Sequence, residues 1–229
     1  MKRTVIITGA TDGIGRALAL LLSGEYNLAL CGRNEEKMAQ LTRELGDCPV
    51  YAACFDITDE DKRHAFCAHV KERFGGVDVL VNSAGANTKK DRVTDIDPAD
   101  LRYMFELNCV SPLGMIQEVY PMMAARQSGL IVNILSSCCL FSNPMTGSYS
   151  ASKDAMEGIS KILTKEAKAD HIGVCSIYPG GVDTGFRATA RPDYLRPETV
   201  AKMIKACIEN EDGCVHDLVI RPFVEENMA

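Results

Sequence analysis

The sequence lacks the features that mark secreted, membrane-spanning and nucleic-acid-binding proteins. Before Thr8 it has an apolar run of only three residues, 5–7, whereas a signal peptide needs about 7–15 and a transmembrane helix about 20. It has no run of Lys or Arg, and its net charge of −6 disfavours nucleic acids and acidic membranes as partners. Because repeats, low-complexity tracts and linkers are also missing, we expect one cytoplasmic domain over residues 1–229.

The ten cysteines lack the spacing of a disulfide framework or a metal site. None belongs to a C-x-x-C motif, and the adjacent Cys138 and Cys139 are poorly placed to form a bridge. Without a cluster of His, Cys and carboxylates, the sequence offers no metal site. We expect reduced core thiols, since a free Cys in an apolar run acts as a small hydrophobe. Examples are Cys31, Cys54, Cys109 and Cys175.

What the sequence does contain begins with a strand, a glycine-rich turn and a helix. The β-branched run 4–7 predicts a buried strand, and the apolar run 17–22 predicts a helix. Glycines between them let the backbone approach a pyrophosphate, to which the helix N-terminus offers free N–H groups. A tight turn without a ligand is the alternative. The predicted cofactor-binding residues here are Gly9, Thr11, Asp12, Gly13, Ile14 and Gly15.

The second predicted strand, 27–31, ends at Gly32-Arg33-Asn34, the point at which a dinucleotide-binding fold meets the adenosine ribose. NAD-specific sites usually carry a carboxylate there. Arg33 instead suits a 2′-phosphate, because guanidinium and phosphate pair in a fork. We therefore expect Arg33 and Asn34 to contact the cofactor and favour NADP(H) over NAD(H), although Asp12 adds no second positive charge. Alternatively, Arg33 is a solvated residue before a helix at 35–45.

The rest of the chain repeats this alternation of strand and helix. Strands are predicted at 50–55, 77–81, 129–135, 172–178 and 218–220, and helices at 59–74, 100–125, from Tyr149 to about 170, and at 198–209. The pattern predicts a Rossmann-type α/β fold, a doubly wound, mostly parallel sheet of seven strands with helices on both faces and ligands at the carboxyl ends of the strands. There, Asp56 is a candidate acceptor for the adenine amino group. Alternatively, Asp56 or Thr58 caps the next helix.

A tyrosine and a lysine four residues apart supply the candidate chemistry. On a helix, Tyr149 and Lys153 would share a face, about 5–6 Å apart at Cβ. A cation this close favours the phenolate and lowers the pKa of a tyrosine, as a proton donor to an alkoxide requires near neutral pH. An exposed pair without a chemical role is the alternative.

Together these motifs resemble the shorter, single-domain branch of the short-chain dehydrogenase/reductase family along almost the whole chain. The glycine spacing is that of this branch, and Ser83 replaces the second Asn of the family's N-N-A-G turn. The matching motifs, in the family's order, are Thr8-Gly9-x-x-x-Gly13-x-Gly15, Asn82-Ser83-Ala84-Gly85, Asn108, Ser136, Tyr149-x-x-x-Lys153 and Pro179-Gly180.

The resemblance implies a role for each matching residue. Tyr149 would be the general acid or base, and Lys153 would lower its pKa and bind the nicotinamide ribose. Ser136, or alternatively Ser137, would hold the substrate oxygen, and Asn108 would position a water in a proton relay through Lys153. The other residues expected at the cofactor are Asp56, Ile57, Asn82, Ala84, Gly85, Pro179, Gly180, Val182 and Thr184.

The implied activity is reversible reduction of a small ketone or aldehyde with NADP(H), in a homodimer or homotetramer. A non-catalytic NADP(H)-binding sensor of the same fold is the alternative, which the intact Ser136, Tyr149 and Lys153 disfavour. The substrate segment at 185–197 is short, which predicts an open site. Its arginines either attract an anionic substrate or face solvent. The candidate pocket residues are Cys138, Phe141, Met145 and Arg187.

Overall fold

A computed structural model of the chain describes residues 2–186 and 189–225. Short apolar segments form the strands, since a strand covered on both faces needs apolar side chains on both. The strands are β1 (Thr4–Thr8), β2 (Asn27–Gly32), β3 (Val50–Cys54), β4 (Val79–Asn82), β5 (Gly129–Ile134), β6 (Ile172–Pro179) and β7 (Asp217–Ile220).

The seven strands form one parallel sheet in the order β3-β2-β1-β4-β5-β6-β7. The predicted doubly wound α/β fold is therefore confirmed. The strand order reverses between β1 and β4. At such a point the connections leave in opposite directions and open a crevice at the carboxyl ends of the strands, where ligands bind.

Helices cover both faces of the sheet and bury one apolar cluster on each. Leu18 and Leu30 belong to the first cluster, and Ile6 and Met115 belong to the second. Burial of apolar surface, worth about 25 cal/mol per Å², is the main favourable term in such a core. The helices on the first face are α1 (Gly13–Leu22), α2 (Glu35–Glu44) and α7 (Pro197–Glu209); those on the second are α3 (Glu60–Phe74), α4 (Pro98–Phe105), α5 (Ser111–Ala124) and α6 (Gly147–Glu166).

The single helix predicted over 100–125 is instead two helices joined by a π-helical turn at Glu106–Val110. Pro112 explains the interruption, because it has no N–H to donate to the carbonyl four residues earlier, that of Asn108. Ser111 takes up the wider turn, since both its N–H and its hydroxyl donate to the Glu106 carbonyl, the hydroxyl at 2.8 Å. The extra residue in the turn places Asn108 in the protein interior.

Three smaller expectations also need correction. Strand β4 begins at Val79 rather than at Val77. The carbonyl of Val77 instead accepts a hydrogen bond from the Arg126 side chain. The N-cap of α3 is Asp59, which accepts from the Lys62 N–H at 3.1 Å, so neither of the two predicted caps holds that position. Cys54 is exposed, because it ends a strand at the sheet edge.

Candidate active site

A cavity of about 1360 Å³ runs along the carboxyl edge of the sheet. It exceeds the roughly 300–1,000 Å³ of a typical small-ligand pocket, so it has room for a dinucleotide together with a small substrate. Most of its lining residues come from the turns after β1, β2, β3, β4, β5 and β6 and from the first turns of α6. The cavity thus lies where parallel sheets bind their ligands.

The turn after β1 brings two backbone segments into close contact at the cavity. Gly9 has φ of +66°, and a Cβ on it would lie 2.8 Å from Ala84 Cα. Thr8 Oγ1 fixes this contact by accepting hydrogen bonds from the N–H groups of Ser83 and Ala84, each at 3.0 Å. Gly13 begins α1, whose first N–H groups have no partner within the helix. A tight glycine-rich turn at a helix N-terminus fits the pyrophosphate of a dinucleotide.

Asp12 caps α1 and holds a lysine at the same end of the cavity. Its Oδ1 accepts from the Gly13 N–H at 2.7 Å, and its Oδ2 accepts from Lys37 Nζ. Burial raises the pKa of Asp12, but the bonds from Lys37 and Gly13 outweigh it and leave the pKa below its usual value. Asn34 fixes the helix that carries the lysine by accepting from its N–H at 2.9 Å. Asp12 itself adds no positive charge, but it holds one that the sequence analysis did not name, because Lys37 stands one helical turn after Arg33.

Arg33 stands just after β2 with 60% of its side chain exposed. Its Nη1 lies 3.5 Å from Asp56 Oδ2 and 3.5 Å from the Tyr103 hydroxyl. Asp56 accepts from the N–H and the hydroxyl of Thr58, and although burial raises the pKa of Asp56, these bonds and Arg33 lower it overall. An exposed ion pair is worth little, so Arg33 can exchange this partner for a phosphate.

Lys153 is the buried cation of the site. It is 6% exposed, and its Nζ donates to the Ile134 carbonyl at 2.7 Å. Desolvation lowers its pKa to about 8. Gly85 leaves room for it, because a Cβ there would lie 3.4 Å from Lys153 Nζ and 2.8 Å from Asn108 Oδ1. Burying a cation costs stability, which points to a chemical role at this end of the cavity.

Asn108 joins the turn after β4 to α6. Its Oδ1 accepts from the Ala86 N–H at 3.1 Å, and its Nδ2 donates to the Ala86 carbonyl at 2.9 Å and to Ser152 Oγ at 3.1 Å. Ser152 lies between Tyr149 and Lys153 on α6 and donates to the Tyr149 carbonyl at 2.8 Å. The amide of Asn108 thus positions the groups around it, and its contact with a relay water stays a prediction.

Tyr149 and Ser136 share the cavity with the buried ammonium. Tyr149 lies in the first turn of α6, and its ring meets that of Phe186 edge-on, with 5.9 Å between centroids. Ser136 follows β5, and its Oγ accepts from the Cys138 N–H at 3.2 Å. Ser137 also lines the cavity, so the geometry leaves both serines as candidates for the substrate oxygen.

The turn after β6 contributes Pro179, Gly180, Val182 and Thr184 to the cavity wall. A Cβ on Gly13 would lie 3.0 Å from Thr184 Cγ2, so the glycine turn touches this wall directly. The loop that follows is closed at its base, where the Leu195 N–H donates to the Gly181 carbonyl at 3.0 Å. The segment predicted to contact substrate ends where α7 begins, at Pro197, and its role stays a prediction.

Six of the residues predicted at the site are not among the described residues that line the cavity. A Cβ on Gly15 would lie 2.6 Å from the Gly9 carbonyl oxygen, so this glycine serves the packing of α1 against β1. Arg187 lies outside the described residues. The six are Gly15, Asp56, Asn82, Asn108, Phe141 and Met145.

Contacts explain the positions of Asn82 and Phe141, and Met145 lies in an exposed turn. Asn82 is buried and donates to Asn133 Oδ1 at 3.0 Å on the neighbouring strand. Phe141 lies against the guanidinium of Arg221, 4.2 Å from the ring centroid. Met145 is half-exposed in a turn with φ of +67°. Of the four predicted pocket residues, Cys138 does line the cavity, and a hydrogen bond from the Cys139 thiol lowers its pKa against the effect of burial.

Several lining residues carry no motif that sequence reasoning could use. Only Lys37 had a signal, its four-residue spacing from Arg33 at the start of a predicted helix. The amide oxygen of Asn87 is buried at the cavity without a hydrogen-bond partner among the described residues, as a group awaiting a ligand would be. The additional lining residues include Lys37, Asn87, Lys90, Gly181, Phe186, Arg191, Tyr194 and Glu225.

Residues 2–186 and 189–225 hold neither a candidate metal cluster nor a candidate membrane span. In that part of the chain no group of three or more His, Cys, Asp or Glu side chains could hold a metal ion. None of its helices has the length and apolar character needed to cross a bilayer.

Comparisons with known proteins agree with this geometry. A family model described as short chain dehydrogenase matches residues 3–195. An uncharacterized oxidoreductase of Staphylococcus aureus (strain MW2) is 30% identical over 225 residues, which cover 96% of this chain and 97% of the relative. Among solved structures, an alcohol dehydrogenase from the archaeon Thermococcus sibiricus, complexed with 5-hydroxy-NADP, has a TM-score of 0.87 at 25% identity over 97% of both chains. An actinorhodin polyketide ketoreductase variant with NADPH has a TM-score of 0.88 at 26% identity, over 96% of this chain and 95% of that one. The chain belongs to the short-chain dehydrogenase/reductase family of oxidoreductases.

Proposed function

We propose that this protein is an NADP(H)-dependent oxidoreductase that reduces a ketone or aldehyde to the alcohol and runs in reverse with alcohols. The observation that carries the proposal is the buried ammonium of Lys153 one helical turn from Tyr149, in the same cavity as Ser136. A non-catalytic nucleotide sensor needs no costly buried cation beside a phenol, so these groups favour an enzyme.

The proposed chemistry divides between the cofactor and the chain. Bound nicotinamide supplies the hydride. As negative charge develops on the substrate oxygen, the Tyr149 hydroxyl donates its proton to that oxygen and Ser136, or Ser137, donates a hydrogen bond. Lys153 stabilises the phenolate left behind, because the two charges are opposite and little water separates them.

The remaining residues would hold the reactants in place. Lys153 binds the nicotinamide ribose, and Asn108 fixes the position of the turn after β4 through its hydrogen bonds to Ala86. Val182 and Thr184 meet the carboxamide, while Asp56 and Ile57 lie near the adenine. These roles come from the family resemblance and are proposals for this chain.

The preference for NADP(H) rests on two cations at the far end of the cavity. Arg33 and Lys37 both line it, and both engage carboxylates that a 2′-phosphate could replace. The printed titles of two similar structures name bound NADPH and a derivative of NADP, which supports this preference.

The experiment that tests the proposal is oxidation of NADPH and of NADH, followed by absorbance, with ketones, keto acids and diketones. We expect turnover with NADPH well above that with NADH. If NADH were preferred, the argument from Arg33 and Lys37 would fall and the catalytic assignment would stand. Binding of both cofactors without turnover of any carbonyl would favour the sensor.

We further propose a homodimer or homotetramer in the cytoplasm, as the family resemblance implies. Exposed apolar side chains on the π-helical turn (Val110) and on α6 (Ile162) support an interface there. Light scattering of the purified protein tests this, and a monomer at micromolar concentration would contradict it.

A further inference from the structure

One carboxylate at the cavity has no part in the chemistry described so far. After β7 the chain turns back over the strand ends and brings Glu225 to the cavity wall. Its Oε1 accepts from the Gly181 N–H at 2.6 Å, and its Oε2 accepts from Arg221 Nε at 3.0 Å. The Glu225 and Arg221 side chains are only 20% and 8% exposed, so this is a fixed ion pair and not a surface contact.

The strand order puts this carboxylate at the substrate end. Strands β5 and β6 are neighbours; Ser136 follows the first and Gly181 follows the second. Glu225 is anchored on Gly181, and its partner Arg221 stacks on Phe141, five residues after Ser136. Thus both ends of the ion pair are tied to segments that carry or flank the proposed catalytic groups.

The fit of the carboxylate is specific to this turn. A Cβ on Gly180 would overlap Glu225 Oε2, so a residue other than glycine there would displace it. A carboxylate has about four acceptor sites, and among the described residues the Gly181 N–H and Arg221 Nε each occupy one of them. The others are available to a group in the cavity that Glu225 lines.

We infer that Glu225 determines specificity by binding a hydroxyl or ammonium group next to the substrate carbonyl and by repelling substrates that carry a carboxylate there. The inference rests on the proposed carbonyl reduction and names its substrate class. A donor on the substrate gains a charge-assisted hydrogen bond, whereas a substrate carboxylate would face the acceptor oxygens of Glu225, whose charge the Arg221 ion pair offsets only in part. This opposes the expectation that loop arginines attract an anion. Arg191, the loop arginine that lines the cavity, lies 5.3 Å from the Tyr194 ring centroid.

Three substrates of nearly equal size test the inference: hydroxyacetone, butanone and pyruvate, each with saturating NADPH. We expect wild-type kcat/KM to be at least about 30-fold higher for hydroxyacetone than for pyruvate. Glu225→Gln keeps an acceptor for the Gly181 N–H and removes the charge. It should lower kcat/KM for hydroxyacetone about tenfold, mainly through KM, raise it for pyruvate about tenfold, and leave butanone within about twofold. Glu209→Gln, on α7, is the matched control and should change none of the three.

Two results would overturn the inference. If Glu225→Gln left the ratio of kcat/KM for hydroxyacetone to kcat/KM for pyruvate unchanged, the carboxylate would not face the substrate. If it lowered kcat/KM equally for all three, its role would be to hold the turn at Gly181 and not to select substrates.

Calorimetry separates this inference from the proposed function. The Tyr149→Phe protein loaded with NADP⁺ should bind the probes without turning them over, so calorimetry on it reports binding alone. Adding Glu225→Gln to this protein should lower its affinity for hydroxyacetone about tenfold and raise its affinity for pyruvate about tenfold. Such a change with no turnover by the wild type would show that Glu225 selects among these ligands by binding, and it would remove the proposed function. Unchanged affinities for both probes would remove the inference even if wild-type turnover were normal.

Discussion

Cations stand at both ends of the cavity, in opposite surroundings. Arg33 and Lys37 are 60% and 49% exposed, whereas Lys153 is 6% exposed. An exposed cation keeps its hydration, costs little and suits an anionic ligand that arrives from solvent. A buried cation has lost its hydration and lowers stability unless its partners compensate. The two ends of the site therefore differ in what they demand from the fold.

The two ends also differ in how their geometry is held. At the cofactor end, backbone geometry does this, through the left-handed Gly9 packed against Ala84. At the catalytic end, side chains do it, through the buried amide of Asn108 and the hydroxyl of Ser152. A backbone contact tolerates no added atoms, whereas a side-chain network tolerates a change that keeps its hydrogen bonds.

The largest effect should come from the catalytic end. Tyr149→Phe removes the proposed proton donor and keeps the ring that meets Phe186, so kcat should fall about 10³-fold while the affinity for NADPH changes less than about threefold. Stopped-flow or steady-state absorbance gives kcat, and fluorescence titration gives the affinity. Turnover close to that of the wild type would remove Tyr149 as the general acid.

A steric change at the cofactor end should come next. Gly9→Ala adds a Cβ 2.8 Å from Ala84 Cα at φ of +66°, and we expect a loss of about 4 kcal/mol in unfolding free energy from strain and overpacking together. Gly24→Ala is the matched control, because its φ is +85° but nothing lies within 4 Å of the added atom. It should lose only the strain, about 1 kcal/mol. Equal losses in the two variants, measured by urea unfolding, would refute the close contact.

For the buried cation, Lys153, we predict a substitution that raises the unfolding free energy, whereas Gly9→Ala lowers it. The folded-state pKa of Lys153 is about 8, whereas that of an unfolded lysine is about 10.4. Between these values the unfolded chain holds a proton that the folded protein has lost, so wild-type stability rises with pH; below about pH 8 the full penalty remains. Lys153→Met should be more stable than the wild type at pH 7, and this advantage should shrink by about 3 kcal/mol by pH 10.

Lys205 provides the comparison for this experiment. Hydrogen bonding to Glu25 raises its pKa, so its contribution is present in full below the unfolded value and is lost only above it. Urea unfolding of cofactor-free Lys205→Met between pH 7 and 10 should therefore differ from the wild type by a nearly constant amount. A Lys153→Met difference that was equally flat with pH would show that Lys153 is not charged and buried.

Local features of the sequence predicted most of the fold and part of the site. The glycine turn and the Tyr149–Lys153 spacing are read within one strand, turn or helix, and the doubly wound parallel sheet followed from the alternation of elements. The π-helical turn was missed although Pro112 was visible, because a proline in a helical pattern permits a kink, a new helix or a bulge, and only the packing of Asn108 selects among them.

What the sequence did not predict depends on partners far apart in the chain. Lys37 is held at the cavity by its hydrogen bond to Asp12, and Glu225 by the hydrogen bond that it accepts from Gly181. These partners are 25 and 44 positions apart in the sequence. Asn82 was expected at the cofactor, but its amide belongs to a buried hydrogen bond with Asn133, and no local pattern distinguishes these two uses of an asparagine.

The smallest effect should come from the exposed cations, and it tests whether they recognise phosphate. Arg33 and Lys37 each pair with a carboxylate in the free protein. A bound 2′-phosphate would replace that exposed ion pair by another, so its binding free energy gains only the difference between the two pairs. Arg33→Ala and Lys37→Ala should each raise KM for NADPH about 5- to 20-fold, leave KM for NADH within about twofold, and lose most of their effect in 0.5 M salt. Lys62→Ala, an equally exposed lysine on α3 paired with Asp59, controls for loss of surface charge and should change neither KM. If either cavity variant raised both values equally, its cation would attract the pyrophosphate common to the two cofactors, and the preference for NADP(H) would have to arise elsewhere.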